Sequence, residues 1–383
     1  MEETRYNKSH MFLAEITARY RLSSTSSEKN VQHIVLSLKE SSITYRVGDS
    51  VAIAPANDPH HVAKTLCAMK CLGKEVVQDR PRVKSYPILD YMTTHLNLAL
   101  VSKKLIEEVE KRQSHPEKKE RLAFLLQDSQ KEALKAYQQE RQVWDFLEEN
   151  SEVTFAPQES CDLLQPLLPR FYSVTSSMQA VGDEVHLMVA ELIYTSNGHI
   201  RRGVATHYLC CLAPLHQRVV PIYIQPSKDF HLTEDDDAPI IMIGPGTGVA
   251  PYVGFMQERM LRKAKGHNWL IFGERHQEHE FYYQSYWQEL VTLKQLRLDT
   301  AFSRDQKEKV YVQHILKEQG KEVFDLLEKG AYLYVCGDAQ HMAKDVDAAL
   351  HEIVRVHGGL DESSAKAYVK TLRTLKRYLR DVY

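Results

Sequence analysis

One stretch constrains this chain more than any other: from Ala238 to Met256, 19 consecutive residues carry no charge. That is about the length needed to cross a bilayer. The stretch also holds Pro239, Pro245 and Pro251 and four glycines. Proline removes a helical donor and glycine loosens the backbone, so a continuous lipid-facing helix is not expected. The pattern reads instead as a buried strand, a turn through Gly244, Gly246 and Gly248, and the start of a helix.

The residues that follow keep to this plan. Strand-like runs at Ile240 to Ile243, Trp269 to Phe272, Arg297 to Phe302 and Tyr332 to Val335 alternate with helical runs. The helices reach to about Lys263, then lie around Tyr283 to Leu293 and Val312 to Leu316. A last helix is predicted from Ala365, Tyr368, Val369, Leu372, Leu375 and Leu379, leading to the C-terminus. Such alternation gives a parallel sheet with helices on both faces and ligands at the carboxyl ends of its strands.

Upstream, the period changes. Residues 30 to 55 alternate, with Ile34, Leu36 and Leu38, then Ile43, Tyr45 and Val47, then Val51 and Ile53, separated by turns at Lys39 to Ser42 and Gly48-Asp49. From about 60 to 150 the spacing is helical, as in Leu105, Ile106 and Val109 or Val143 and Leu147. The mixed charges of Glu117 to Arg121 describe a solvated helix face. Strand signals return at Arg170 to Thr175, Glu184 to Ile193 and Arg218 to Gln225, so the first β domain is expected to close across a helical insertion. The organisation is α+β and multi-domain. An antiparallel β-barrel takes residues 1–60 and 151–235, a helical connecting insertion 61–150, and an α/β parallel-sheet domain 236–383.

Charge excludes some partners. The 49 Lys and Arg stand against 51 Asp and Glu, a formal net charge of −2, which gives no broad attraction to nucleic acid or an anionic membrane. The six cysteines lack the paired spacing of a zinc site, and the N-terminus lacks a secretory pattern, so no metal and a cytoplasmic location are expected.

Several segments carry chemistry. Closely spaced glycines between a strand and a helix let the main chain approach a pyrophosphate, although Gly-x-Gly-x-Gly is not the ordinary dinucleotide fingerprint. A structural turn reads equally well from this segment alone. The third strand of the domain ends in Ser303 and Arg304, followed by Lys309 and Tyr311. A hydroxyl, two cations and a phenol can hold a 2′-phosphate by charge-assisted hydrogen bonds, where an NAD enzyme would present a carboxylate. The fourth strand ends in Cys336, Gly337 and Asp338. In the β domain, Arg170 and Tyr172 share a strand face by period two, and Ser173 joins them only through a twist or bulge. Gly203, Val204, Ala205 and Thr206 precede a short predicted helix.

Together these segments resemble the FAD and NADP module of the diflavin reductases, most closely the sulfite reductase flavoprotein subunit. The matching stretches are RFYSVTSS at 170–177, GVAT at 203–206, IMIGPGTGVAP at 241–251, FSRDQKEKVYVQ at 302–313, YVCGDAQHMAKDV at 334–346 and RYLRDVY at 377–383. The resemblance implies that Arg170, Tyr172, Ser173, Gly203, Val204, Ala205 and Thr206 bind FAD, with Tyr383 over the flavin until nicotinamide displaces it. It implies that Gly246 and Thr247 meet the NADP pyrophosphate. Ser303, Arg304, Lys309 and Tyr311 would meet the 2′-phosphate, with Cys336 and Asp338 completing the NADP site. Ser173, Cys336 and Asp381 would surround hydride transfer as the catalytic group.

The family usually places an FMN domain ahead of this module. Here about 30 residues are expected before the first strands, too few for one. The resemblance therefore implies an NADPH-dependent FAD reductase whose acceptor is a separate protein: the sulfite reductase haemoprotein, a flavodoxin or a ferredoxin. A general flavodoxin or ferredoxin reductase is the alternative, and a non-catalytic flavin-binding scaffold or redox-sensing subunit the third reading.

Overall fold

The computed structural model describes residues 6–383, so the first five residues of the 1–60 segment lie outside it. By contacts the chain divides into two compact units. One comprises 1–52, 171–190 and 215–383, the other 53–170 and 191–214.

The first unit contains the two large sheets. Its antiparallel sheet is built from β1 (Phe12–Arg21), β2 (Asn30–Ser37), β3 (Ser50–Ile53), β4 (Arg170–Ser173), β5 (Glu184–Glu191) and β6 (Arg218–Gln225). The order is β4-β3-β6-β1-β2-β5. A bridge from Val174, just past β4, to Leu187 on β5 joins the two edges, which makes the sheet a barrel with no long free edge. The first strand begins at Phe12, not near residue 30. Its inward positions include Ala14 and its register slips twice, at Ala14/Glu15 and Ile16/Ala18, which blurs the alternation. Ile43, Tyr45 and Val47 are buried as their spacing implies, but their segment is not laddered. Tyr45 anchors it instead through Ser176 Oγ at 2.7 Å and the Glu184 carbonyl at 2.9 Å.

The second sheet of this unit is parallel: β7 (Ile240–Pro245), β8 (Asn268–Glu274), β9 (Arg297–Phe302), β10 (Tyr332–Gly337) and β11 (Tyr378–Val382), in the order β9-β8-β7-β10-β11. Apolar side chains cover both faces, with Met242, Leu270 and Tyr334 in one cluster and Ile243, Ile271 and Val335 in the other. The uncharged stretch folds as the end of a loop, β7, a tight 3₁₀ turn over Gly246–Val249 and the helix Ala250–Arg262. Among the described residues no helix is long and apolar enough to cross a membrane.

The predicted last helix is the main correction. It spans Glu362–Thr374 and stops, because Lys376 takes a left-handed backbone (φ 53°). Residues 378–382 then pair in parallel with β10, so Leu379 lies on a strand and Asp381 stands beside Cys336. The second unit is helical, with Leu105, Ile106, Val109, Val143 and Leu147 in one core. Asp58 and Ser102 cap two of its helices by accepting from the His60 and Leu105 amides.

Candidate functional site

The turn after β7 is shaped by glycine. Gly246 holds φ +58°, a conformation other residues adopt at a cost. Gly248 packs so closely on the end of β10 that a Cβ would lie 2.1 Å from the Cys336 carbonyl oxygen. Behind the turn, the buried Tyr252 hydroxyl donates to the Ile243 carbonyl at 2.9 Å and ties the helix to the strand.

In front of the turn lies a cavity of about 490 Å³ at the carboxyl ends of the strands. Gly246, Ser303, Tyr311 and Asp338 line it, as do Lys29, Glu274 and Arg275. Sequence reasoning missed the last three. Lys29 is on a loop far upstream, and Glu274 ends, and Arg275 follows, a strand that carries no recognisable motif. Arg304 and Lys309 are exposed and do not form the cavity wall. Asp338 is engaged locally: its Oδ2 accepts from the His341 and Met342 amides at 2.6 and 3.1 Å. Those bonds hold its carboxyl below the usual range. A larger cavity, about 1070 Å³, opens at the opposite ends of the strands beside Lys263 and Lys265, and includes none of the residues singled out above.

A second group assembles at the ends of β10 and β11. Ser173 Oγ donates to Asp381 Oδ2 at 2.8 Å, and Cys336 Sγ lies 3.9 Å from the same oxygen. Burial pushes the Asp381 carboxyl up, and the Ser173 hydrogen bond offsets part of that. The Cys336 thiol is fully buried, and burial followed by the charge of Asp381 holds it well above its ordinary value, so it is a neutral thiol. Tyr383 is tied by its backbone to Gly337 and Ala339, while its phenol meets Thr247 Oγ1 at 2.9 Å. Thr247 therefore faces the terminal residue and is not part of the cavity wall.

The remaining residues are Tyr172, half-buried on β4, and those of the helical unit. Arg170 is exposed and donates to the Leu168 carbonyl at 2.9 Å. Gly203 opens a short helix over Val204–His207, where Thr206 Oγ1 accepts from the Leu192 amide at 3.1 Å and donates to the Gly203 carbonyl at 3.1 Å. In the same unit Glu191, His207 and Cys211 bring ligand atoms within 4.8 Å of one another, but Arg202 takes Glu191 Oε1 at 2.7 Å, satisfying that charge without a metal.

These features fit two nucleotide cofactors. A glycine turn that a Cβ would block, a cavity reaching a serine and a tyrosine, and a carboxylate held by a serine beside it are suited to a dinucleotide and its reacting ring. Comparison with known proteins finds one family for each type of cofactor. Residues 4–208 match the FAD binding domain family and residues 242–348 match the oxidoreductase NAD-binding domain family. The chain is 41% identical over 387 residues to the sulfite reductase [NADPH] flavoprotein alpha-component of Vibrio cholerae, covering 100% of this chain and 61% of that protein. The protein of the same name from Bacillus subtilis is 37% identical over 382 residues, covering 100% and 62%, and that of Zymomonas mobilis is 37% identical over 385, again covering 100% and 62%. The chain thus spans about three-fifths of the length of the curated relatives it matches.

Proposed function

Because the chain belongs to the family of oxidoreductases that join an FAD-binding domain to an NAD-binding domain, we propose that it carries electrons from NADPH through FAD to a separate redox protein. Sulfite reduction is the pathway its relatives' names favour, and a haemoprotein is the acceptor we propose for it. When bound, NADPH supplies a hydride and FAD accepts it as a pair and releases the electrons singly. The observation that carries the reading is the meeting of Ser173, at the end of β4, with Cys336 and Asp381 on the paired strands β10 and β11, next to the glycine turn.

Each residue then has a task. Asp381 presents a carboxylate where positive charge develops as the nicotinamide is oxidised, and electrostatic stabilisation of that kind is worth most in a site with little water. Ser173 fixes the carboxylate's orientation and favours its charged form. Cys336, a neutral and compact thiol, would neighbour the nicotinamide without competing as a nucleophile. Gly246 and its neighbours offer backbone donors to the pyrophosphate, and Ser303, Arg304, Lys309 and Tyr311 read the 2′-phosphate. Tyr172 and Arg170 contribute an aromatic face and a cation toward FAD, and Val204, Ala205 and Thr206 contribute amides. The division into barrel, insertion and dinucleotide domain at 1–60 with 151–235, 61–150 and 236–383 follows the same assignment.

Anaerobic addition of NADPH to the purified yellow protein tests the reading, with bleaching of the flavin absorbance expected. The reduced protein is then titrated with sulfite reductase haemoprotein, flavodoxin and ferredoxin. Fast reoxidation by the haemoprotein supports sulfite reduction, whereas a preference for flavodoxin or ferredoxin supports a general reductase. A protein that takes up FAD but is not bleached by NADPH would refute both and leave a flavin-binding scaffold.

A further inference from the structure

Glu274 is out of place in a cavity suited to a phosphorylated ligand. It ends β8, its side chain is only 4% exposed, and its Oε2 lies 3.4 Å from where a Cβ on Gly246 would stand. Both carboxylate oxygens hold Lys29 Nζ, at 2.6 and 2.8 Å. Oε2 also accepts from the Tyr282 hydroxyl at 3.1 Å and Oε1 from the Arg275 amide at 3.0 Å. The formal charges on the cavity wall are Lys29 and Arg275 against Glu274, Asp338 and Asp345. Arg275 is already engaged by Glu28 at 2.8 Å and Glu280 at 3.0 Å.

Two consequences have the same sign. A carboxylate beside the glycine turn repels a bound pyrophosphate, and a lysine whose Nζ is held by both of that carboxylate's oxygens has only one N–H left to offer an anion. The bonds from Tyr282 and the Arg275 amide stay with Glu274 when Lys29 departs, so its oxygens keep hydrogen-bond donors, while the loss of its counter-ion is the cost that weakens dinucleotide binding.

We propose that Glu274 sets the affinity for the dinucleotide by competing with its pyrophosphate for Lys29. The inference rests on the reading above that the glycine turn receives NADP. Lys29 moves from the carboxylate to the phosphate as the dinucleotide enters, and no covalent step is involved. Because Glu274 adjoins the turn, it acts on the pyrophosphate, which NADP⁺ and NAD⁺ share.

Calorimetric titration of the FAD-loaded protein with NADP⁺ and with NAD⁺ tests this, using wild type, Glu274→Gln, Lys29→Ala and the double variant. Glu274→Gln should tighten both ligands by about three- to tenfold, the effect of removing one partly screened charge. The gain should shrink as salt rises. Lys29→Ala should weaken both, and in its background Glu274→Gln should gain less than in wild type. A folded Glu274→Gln protein with unchanged affinity would overturn the proposal, as would a gain confined to NADP⁺ or one equally large without Lys29. Should Glu274→Gln not fold, Lys29→Ala decides alone, and wild-type affinity in that variant would refute the competition. Wild-type protein that binds no NADP⁺ at all would refute the dinucleotide reading itself and this inference with it.

Discussion

Replacing Gly248 by alanine is the sharpest test of how the glycine turn is held. The backbone of Gly248 lies outside the left-handed region, so alanine carries no conformational penalty there and any cost must come from packing. The new Cβ would stand 2.1 Å from the Cys336 carbonyl oxygen, 2.7 Å from its carbon and 3.2 Å from Gly337 Cα. All three are main-chain atoms of a strand paired to β7 through Ile243 and Val335, so none can rotate away as a side chain would. Ordinary contact begins at 3.4 Å, so turn and strand end must separate by about 1.3 Å. Overpacking of this kind costs about 1–3 kcal/mol, and an ångström of misplacement can lower a positioned reaction by about 10²-fold. Denaturant midpoints and calorimetric binding of NADP⁺ read the two effects separately. We expect a lower midpoint, weaker NADP⁺ binding and slower flavin reduction, with FAD content retained. A variant with the wild-type midpoint and wild-type NADP⁺ affinity would refute the close approach on which the assignment of the turn rests.

Three further outcomes follow from the site. Arg304→Ala with Lys309→Ala should weaken NADPH use far more than NADH use, each change removing a charge-assisted contact of about 1.5–3 kcal/mol; equal loss for the two donors, measured as kcat/KM, would withdraw the 2′-phosphate assignment. Ser173→Ala should destabilise in a pH-dependent way. Asp381 has a raised folded-state pKa, so its contribution is fully present below its unfolded value of about 3.9 and is lost as pH rises through the folded value. Removing the Ser173 donor raises that pKa further, so the deficit should be largest in neutral and alkaline solution, about 1.5–3 kcal/mol, and shrink toward the cost of a neutral hydrogen bond in acid; a deficit constant with pH in melting curves would count against the pair. Tyr383→Phe removes only the hydroxyl that meets Thr247, so NADP⁺ should bind about two- to tenfold more tightly if that contact must be broken on binding; unchanged affinity would mean the contact does not compete.

Much of this chain could be read from residue order because local physics fixes it. The period-two run of β6 and the ends of β9 appear where the alternation puts them, and three prolines with four glycines suffice to deny residues 238–256 a membrane helix. The glycine turn and Ser303 also announce themselves by position at strand ends. What residue order could not decide are choices made by partners distant in the chain. Leu375 and Leu379 continue the helical spacing, yet residues 378–382 become a strand, because the edge of β10 offers a full ladder and Lys376 breaks the helix just before it. That pairing alone sets Asp381 beside Cys336 and within reach of Ser173, more than two hundred residues earlier. The pairing of Lys29 with Glu274 is equally invisible, since two opposite charges 245 positions apart acquire meaning only when folding brings both to the cavity wall. Sequence by itself determined which segments become strands, turns and helices, since those depend on near neighbours; the tertiary structure decided which charges meet, because electrostatic contact depends on distance in space.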